Sequence, residues 1–128
     1  MLEIGIKGHG KLTVTDSMTA AALGSGAIEV LSTPIMIALM EKTSRMSIAD
    51  YLEENQRTVG TVVNIKHLAA TPVGMEVTCE TELIEIDRRR LVFKVACYDK
   101  DGIIGEGLHE RFIVDKDKFM EKASAKLA

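Results

Sequence analysis

The chain has 128 residues, of which 46% are hydrophobic and 27% charged, with a formal net charge of -3. That length supports one domain, residues 1–128, burying roughly two-thirds of its unfolded surface around a single core. The acidic balance excludes the gathered Lys and Arg field of a nucleic-acid binder, and the longest apolar run, Pro34 to Met40, falls far short of the ~20 residues that span a bilayer.

Taken in chain order, MLEIGIKGHGKL has no continuous apolar stretch of the kind an export leader needs, so the expected location is cytoplasmic. Leu12 and Val14 alternate with polar neighbours, and Gly8 and Gly10 predict a strand with a loose or bulged first half. Residues 16–32 hold an Ala-rich piece and then glycines around Ser25, which predicts a short helical turn and a loop. A long helix follows, with Thr33 as its N-cap, Pro34 at its first position and a fading apolar pattern after Met46. Its first half is apolar on every side, which predicts a helix wrapped by other structure.

From residue 57 the period becomes two. Val59, Thr61, Val63, Ile65, His67 and Ala69 fall on one face, and Thr58, Gly60, Val62, Asn64, Lys66 and Leu68 on the other. Thr71 to Gly74 offers a Pro-Gly turn, and the next strand sets Val77, Cys79, Thr81 and Leu83 inward against glutamates outward. DRRR turns the chain into LVFKVACYD, DKDG turns it again into IIGEGLHERFIV, and Asp115 caps a Lys-rich terminal helix. The class is therefore α+β, an antiparallel sheet of five to six strands curled around one long helix. Cys79 and Cys97 lack a C-x-x-C spacing and read as buried thiols in a reducing compartment, with a disulfide between them as the alternative.

Within that architecture Glu41 demands a reason, because a carboxylate taken out of water costs several kcal/mol unless it is paired or protonated. Arg45, four residues on, supplies a structural reason as an i,i+4 partner; a site carboxylate acting as nucleophile or general base is the other. His67 falls on the apolar set of its strand and is either a hydrogen-bonded core residue or the imidazole of an acid/base pair with Glu41. Thr33 sets a hydroxyl at the helix start, where free N–H groups can hold a carbonyl oxygen gaining charge. Eight helical residues separate it from Glu41 by ~12 Å, so the two meet on one substrate group only if the first turn is irregular or the side chains lean together.

The segments STPIMIALME, VGTVVNIKHLAATPVG and GEGLHERFIV resemble those of the hotdog-fold thioesterases related to fluoroacetyl-CoA thioesterase. The resemblance implies a hotdog fold, a homodimer at minimum with a higher oligomer as the alternative, and a coenzyme A thioester in a groove between subunits. It implies Thr33, Glu41 and His67 as the catalytic set, Gly60 beside the acyl group and Arg111 in substrate binding, with coenzyme A present only as part of the substrate. One segment departs: LGSGAIEV, residues 23 to 30, stands where the fluoroacetyl-specific enzyme carries aromatic lid residues. A small loop gives no comparable dry closure, which points to a different short acyl group.

Other features are ordinary by comparison. Gly8-His9-Gly10 and Gly24-Ser25-Gly26 lack the strand-loop-helix context of a phosphate loop, and the histidines and cysteines show no metal-ligand spacing. Arg88, Arg89 and Arg90 form a solvated charge run at a hairpin tip, with coenzyme A phosphates as the alternative partner. His109 and Arg111 share a strand face, leaving Arg111 to pair with a core carboxylate or to touch substrate. Two rival functions use the same fold: a non-catalytic acyl-CoA-binding or sensing module, and a lyase of the enoyl-CoA hydratase type.

Overall fold

The computed structural model describes residues 1–128. Five strands, β1 (Lys7–Thr13), β2 (Gln56–His67), β3 (Glu76–Asp87), β4 (Arg90–Asp99) and β5 (Gly102–Asp115), accompany three helices, α1 (Ala20–Leu23), α2 (Thr33–Ile48) and α3 (Lys116–Ser124). The strands make one antiparallel sheet in the order β1-β3-β4-β5-β2, which leaves β1 and β2 at its edges. Hairpins set most of that order. Arg88 enters the left-handed region at φ 57° to join β3 to β4, and Gly102 at φ 132° opens β5 after the turn from β4. No helix is long and apolar enough to cross a membrane.

Helix α2 lies across the inner face of this sheet. Its buried residues, Met36, Leu39, Met40, Thr43, Ser44 and Ile48, recur at three- and four-residue steps and form one stripe. The sheet curls against one side of α2, and Pro34, Ala38, Lys42, Arg45 and Met46 on the other side are exposed. Two buried hydroxyls in the stripe are satisfied within the helix, Thr43 donating to Leu39 O at 2.7 Å and Ser44 to Met40 O at 2.8 Å. Beneath α2 the core is built from β3 and β4, where Val77, Leu83, Leu91 and Phe93 are fully buried. Each such side chain contributes ~1.5–3 kcal/mol of burial free energy.

Four local expectations are corrected here. Strand β1 is regular along its whole pairing with β3 from Lys7 to Thr13, and its glycines serve close packing. A Cβ on Gly8 would stand 2.8 Å from Ser47 Cβ and 2.9 Å from the Thr43 carbonyl, and one on Gly10 would collide with the Thr43 hydroxyl. The N-cap of α2 is Ser32, whose hydroxyl accepts from Ile35 N, so Thr33 is the first helical residue and Pro34 the second. Strand β2 changes phase midway: the register with β5 slips between Gly60 and Val62, which adds one residue at Thr61. Gly60, opposite Arg111, thus faces α2 together with Val63, Ile65 and His67, while Val62 turns outward opposite Glu110. Asp115 precedes α3 without capping it through its side chain, which instead meets Arg89 at 3.4 Å.

Candidate functional site

Two groups of polar side chains stand at separate places along α2. The first is its N-terminal end. With Ser32 serving as cap, the Thr33 hydroxyl is free, and it lies 2.7 Å from His67 Nδ1 at the end of β2. The second nitrogen, His67 Nε2, is buried and has no hydrogen-bond partner in the chain. Burial lowers the pKa of this imidazole below its ordinary 6.5, with the Ala69 backbone opposing the shift, so the ring is neutral near pH 7. A cavity of about 390 Å³ opens beside the pair, lined mostly by small or apolar residues that include Ala20, Val30, Leu31 and Ala69.

Two turns further along α2, Glu41 stands over Gly60. A Cβ on that residue would come within 2.6 Å of Glu41 Oε2, so the strand must carry glycine for the carboxylate to rest there. The cation beside Glu41 is Arg111, whose Nη1 is 3.5 Å away, and no ion pair joins Glu41 to Arg45. Arg111 is nearly fully buried, its Nε donating to Thr58 Oγ1 at 2.8 Å and its Nη2 to Thr58 O at 2.9 Å. Burial lowers its pKa, with Glu41 opposing that loss.

His109 completes this cluster. Its Nε2 lies 3.1 Å from Arg111 Nη1, and its Nδ1 lies 2.8 Å from the carbonyl of Val62. A guanidinium only donates, so Nε2 accepts and the single ring proton sits on Nδ1, donated to Val62 O. Desolvation is the main cause that holds this imidazole below the ordinary 6.5, with Arg111 acting in the same direction. A neutral ring makes no ion pair with Glu41 across their 3.9 Å separation; Arg111 links the two.

The residues singled out in the sequence therefore fall into two groups. Thr33 and His67 are in direct contact and share a cavity. Glu41, Gly60 and Arg111 form the other group, and the imidazole next to Glu41 is His109. Glu41 does not line the cavity of Thr33 and His67. His109 is the residue the sequence reading left without a role. Its signal was the shared face of positions 109 and 111.

Elsewhere, a cavity of about 440 Å³ lies on the opposite face of the sheet, where Lys7, Glu82 and Lys94 stand in one cross-strand row of alternating charge. The arginine run is tied up locally, Arg88 with Asp87 and Arg90 with Glu85 and Glu110. Cys79 and Cys97 face each other across β3 and β4 as free, buried thiols. No group of three or more His, Cys, Asp or Glu residues is placed to hold a metal ion.

Comparison with known proteins bears on this arrangement. The family described as fluoroacetyl-CoA-specific thioesterase matches residues 14–117. The fluoroacetyl-CoA thioesterase of Streptantibioticus cattleyicolor is 39% identical over 98 residues, covering 77% of this chain and 70% of that protein. A fluoroacetyl-CoA thioesterase variant with threonine changed to serine, solved with acetyl-CoA, superposes with a TM-score of 0.93 at 31% identity, covering 99% of this chain and 100% of the other. A hot-dog-like protein from Thermanaerovibrio acidaminovorans, 21% identical, reaches a TM-score of 0.90 over 99% of this chain and 94% of its own, which establishes the hotdog fold.

Proposed function

This chain belongs to the fluoroacetyl-CoA-specific thioesterase family and hydrolyses acyl-CoA thioesters, and on that premise we propose how its two polar groups divide the reaction. Glu41 attacks the thioester carbonyl or activates the water that does so. His67, neutral and with Nε2 free, polarises the carbonyl or manages the departing thiolate, and Thr33 with the adjoining N–H groups of α2 orients the acyl group. The observation that carries this reading is the Thr33–His67 pair at 2.7 Å on the wall of a cavity, with an unpartnered imidazole nitrogen beside it.

Thr33 and Glu41 are ~12 Å apart along one helix, too far for both to act on one carbonyl within a chain. A homodimer resolves this. Edge strand β2 exposes Val62 at 42% and Val63 at 45%, and the second side of α2 is exposed beside it. Two copies paired about a two-fold axis along those surfaces bring Glu41 of the partner subunit toward Thr33 and His67, making two shared sites. The loop before α2 carries Gly24, Ser25, Gly26 and Ala27 without an aromatic residue, which favours a short acyl group other than fluoroacetyl. Coenzyme A enters as part of the substrate, and the chemistry requires no separate cofactor; a cytoplasmic location suits such a substrate.

The experiment is to incubate the purified protein with saturated and unsaturated short acyl-CoAs, following free thiol and enoyl absorbance together. Thiol release is the expected result. Binding without release would make the protein a sensing module, and loss of enoyl absorbance without thiol would make it a hydratase.

A further inference from the structure

We propose that His109 is a positioning residue for this hydrolysis: held as the Nδ1–H imidazole between the bulged strand β2 and Arg111, it fixes the guanidinium against Glu41. The proposal rests on the reading that Glu41 is the reacting carboxylate.

Arg111 is restrained on one edge by Thr58, which takes protons from Nε and Nη2. That leaves Nη1 to be aimed. One of its protons goes to His109 Nε2 at 3.1 Å, and the remaining side of Nη1 faces Glu41 Oε2 at 3.5 Å. The ring that receives the first proton is itself immobilised. Its Nδ1–H is spent on Val62 O at 2.8 Å, at the residue where the β2 register resumes after its slip. Phe93, directly opposite on β4, lies against it with ring centroids 6.5 Å apart and planes inclined at 29°. Gly60 closes the remaining approach, since a Cβ there would stand 3.2 Å from His109 Cε1. The extra residue at Thr61 thereby has a use: it sets Gly60 under the carboxylate and Val62 O at the imidazole.

A histidine that only filled core space would need neither this tautomer nor an acceptor aimed at a guanidinium. Protonation of Nε2 would place a second donor against Arg111 and release Nη1 from its orientation. Arg45 on α2 and Glu110 on β5 are the other charged groups that act on this cluster, Arg45 through Arg111 and Glu110 through His109.

The test compares kcat and KM for His109→Leu, His109→Gln, Arg111→Gln and the double variant His109→Leu/Arg111→Gln. His109→Leu should lower kcat about tenfold with KM little changed, and His109→Gln, which keeps a donor and an acceptor, should recover most of that loss. Because His109 acts through Arg111, the double variant should be no slower than Arg111→Gln alone. Multiplying losses, or a Gln variant as slow as Leu, overturns the proposal. Should His109→Leu fail to fold, ¹⁵N imidazole resonances of the unmodified protein near pH 7 decide: Nδ1–H is the expected form, and Nε2–H or imidazolium overturns it. Glu41→Ala run in parallel separates the two levels, since retained hydrolysis there removes the underlying reading, whereas multiplying losses with Glu41→Ala inactive remove only the role of His109.

Discussion

The two halves of the sheet present different chemistry to the same helix. Under α2, β3 and β4 offer Val77, Leu83, Leu91, Phe93 and Val95, all essentially inaccessible, and β1 brings glycines that let the helix settle close. Strands β2 and β5 instead turn Thr58, Gly60, His109 and Arg111 inward, beside a Glu41 side chain that remains 40% exposed. The contrast separates stability from function along one element. The half that seals against the helix holds it in place, and the half where the helix meets the edge strand tolerates polar groups because each is hydrogen-bonded or open to a neighbour.

If that division holds, substitutions on the two sides should fail in different ways. Glu41→Ala is expected to have the largest effect, lowering kcat about 10,000-fold, with a lowered melting temperature as well, because the buried Arg111 guanidinium loses its carboxylate partner. His67→Ala should cost about 100-fold in kcat, measured on the same acyl-CoA. Gly60→Ala should fold normally and lose about tenfold in kcat, because the new methyl group displaces the end of the Glu41 side chain and not the backbone. On the sealed side the order reverses: Met40→Ala should lower unfolding free energy by ~2–5 kcal/mol in denaturant titrations, with kcat of the folded fraction little changed.

A dependence on pH sharpens the same comparison. Both inner imidazoles, His67 and His109, are held below 6.5 chiefly by burial. Between their folded values and 6.5 the unfolded chain binds more protons, so their contribution to stability is complete above 6.5 and is lost as pH falls through that window. The acid limb of kcat should accordingly have its midpoint below 6.5 in the parent protein, and a limb above that value would contradict a neutral His67.

Much of this was legible from residue patterns, because α2 and long stretches of the strands keep a clean period over many residues. What the patterns missed were single-residue effects. Ser32 and Thr33 are both good caps, and only the tertiary contact with His67 shows that the first caps the helix while the second serves the site. The extra residue at Thr61 inverts the alternation of β2, so a strict period of two separates Gly60 from Val63 and His67, whereas the register puts all three on one face. Arg45 looked like the partner of Glu41 because helix spacing is visible in sequence, whereas Arg111 comes from a strand seventy positions away. The uniform apolar character of the first half of α2 suggested enclosure, yet its outer side is left uncovered by the chain's own sheet. On the proposed dimer that side meets a second copy.

The most direct measurement of the central claim is subunit complementation between Glu41→Ala and His67→Ala. If Glu41 of one protomer serves Thr33 and His67 of the other, subunit exchange between the two inactive proteins creates hybrids with one intact site, and an equimolar mixture should recover about a quarter of the parental activity. A mixture no more active than either variant alone, with exchange verified, would contradict the account.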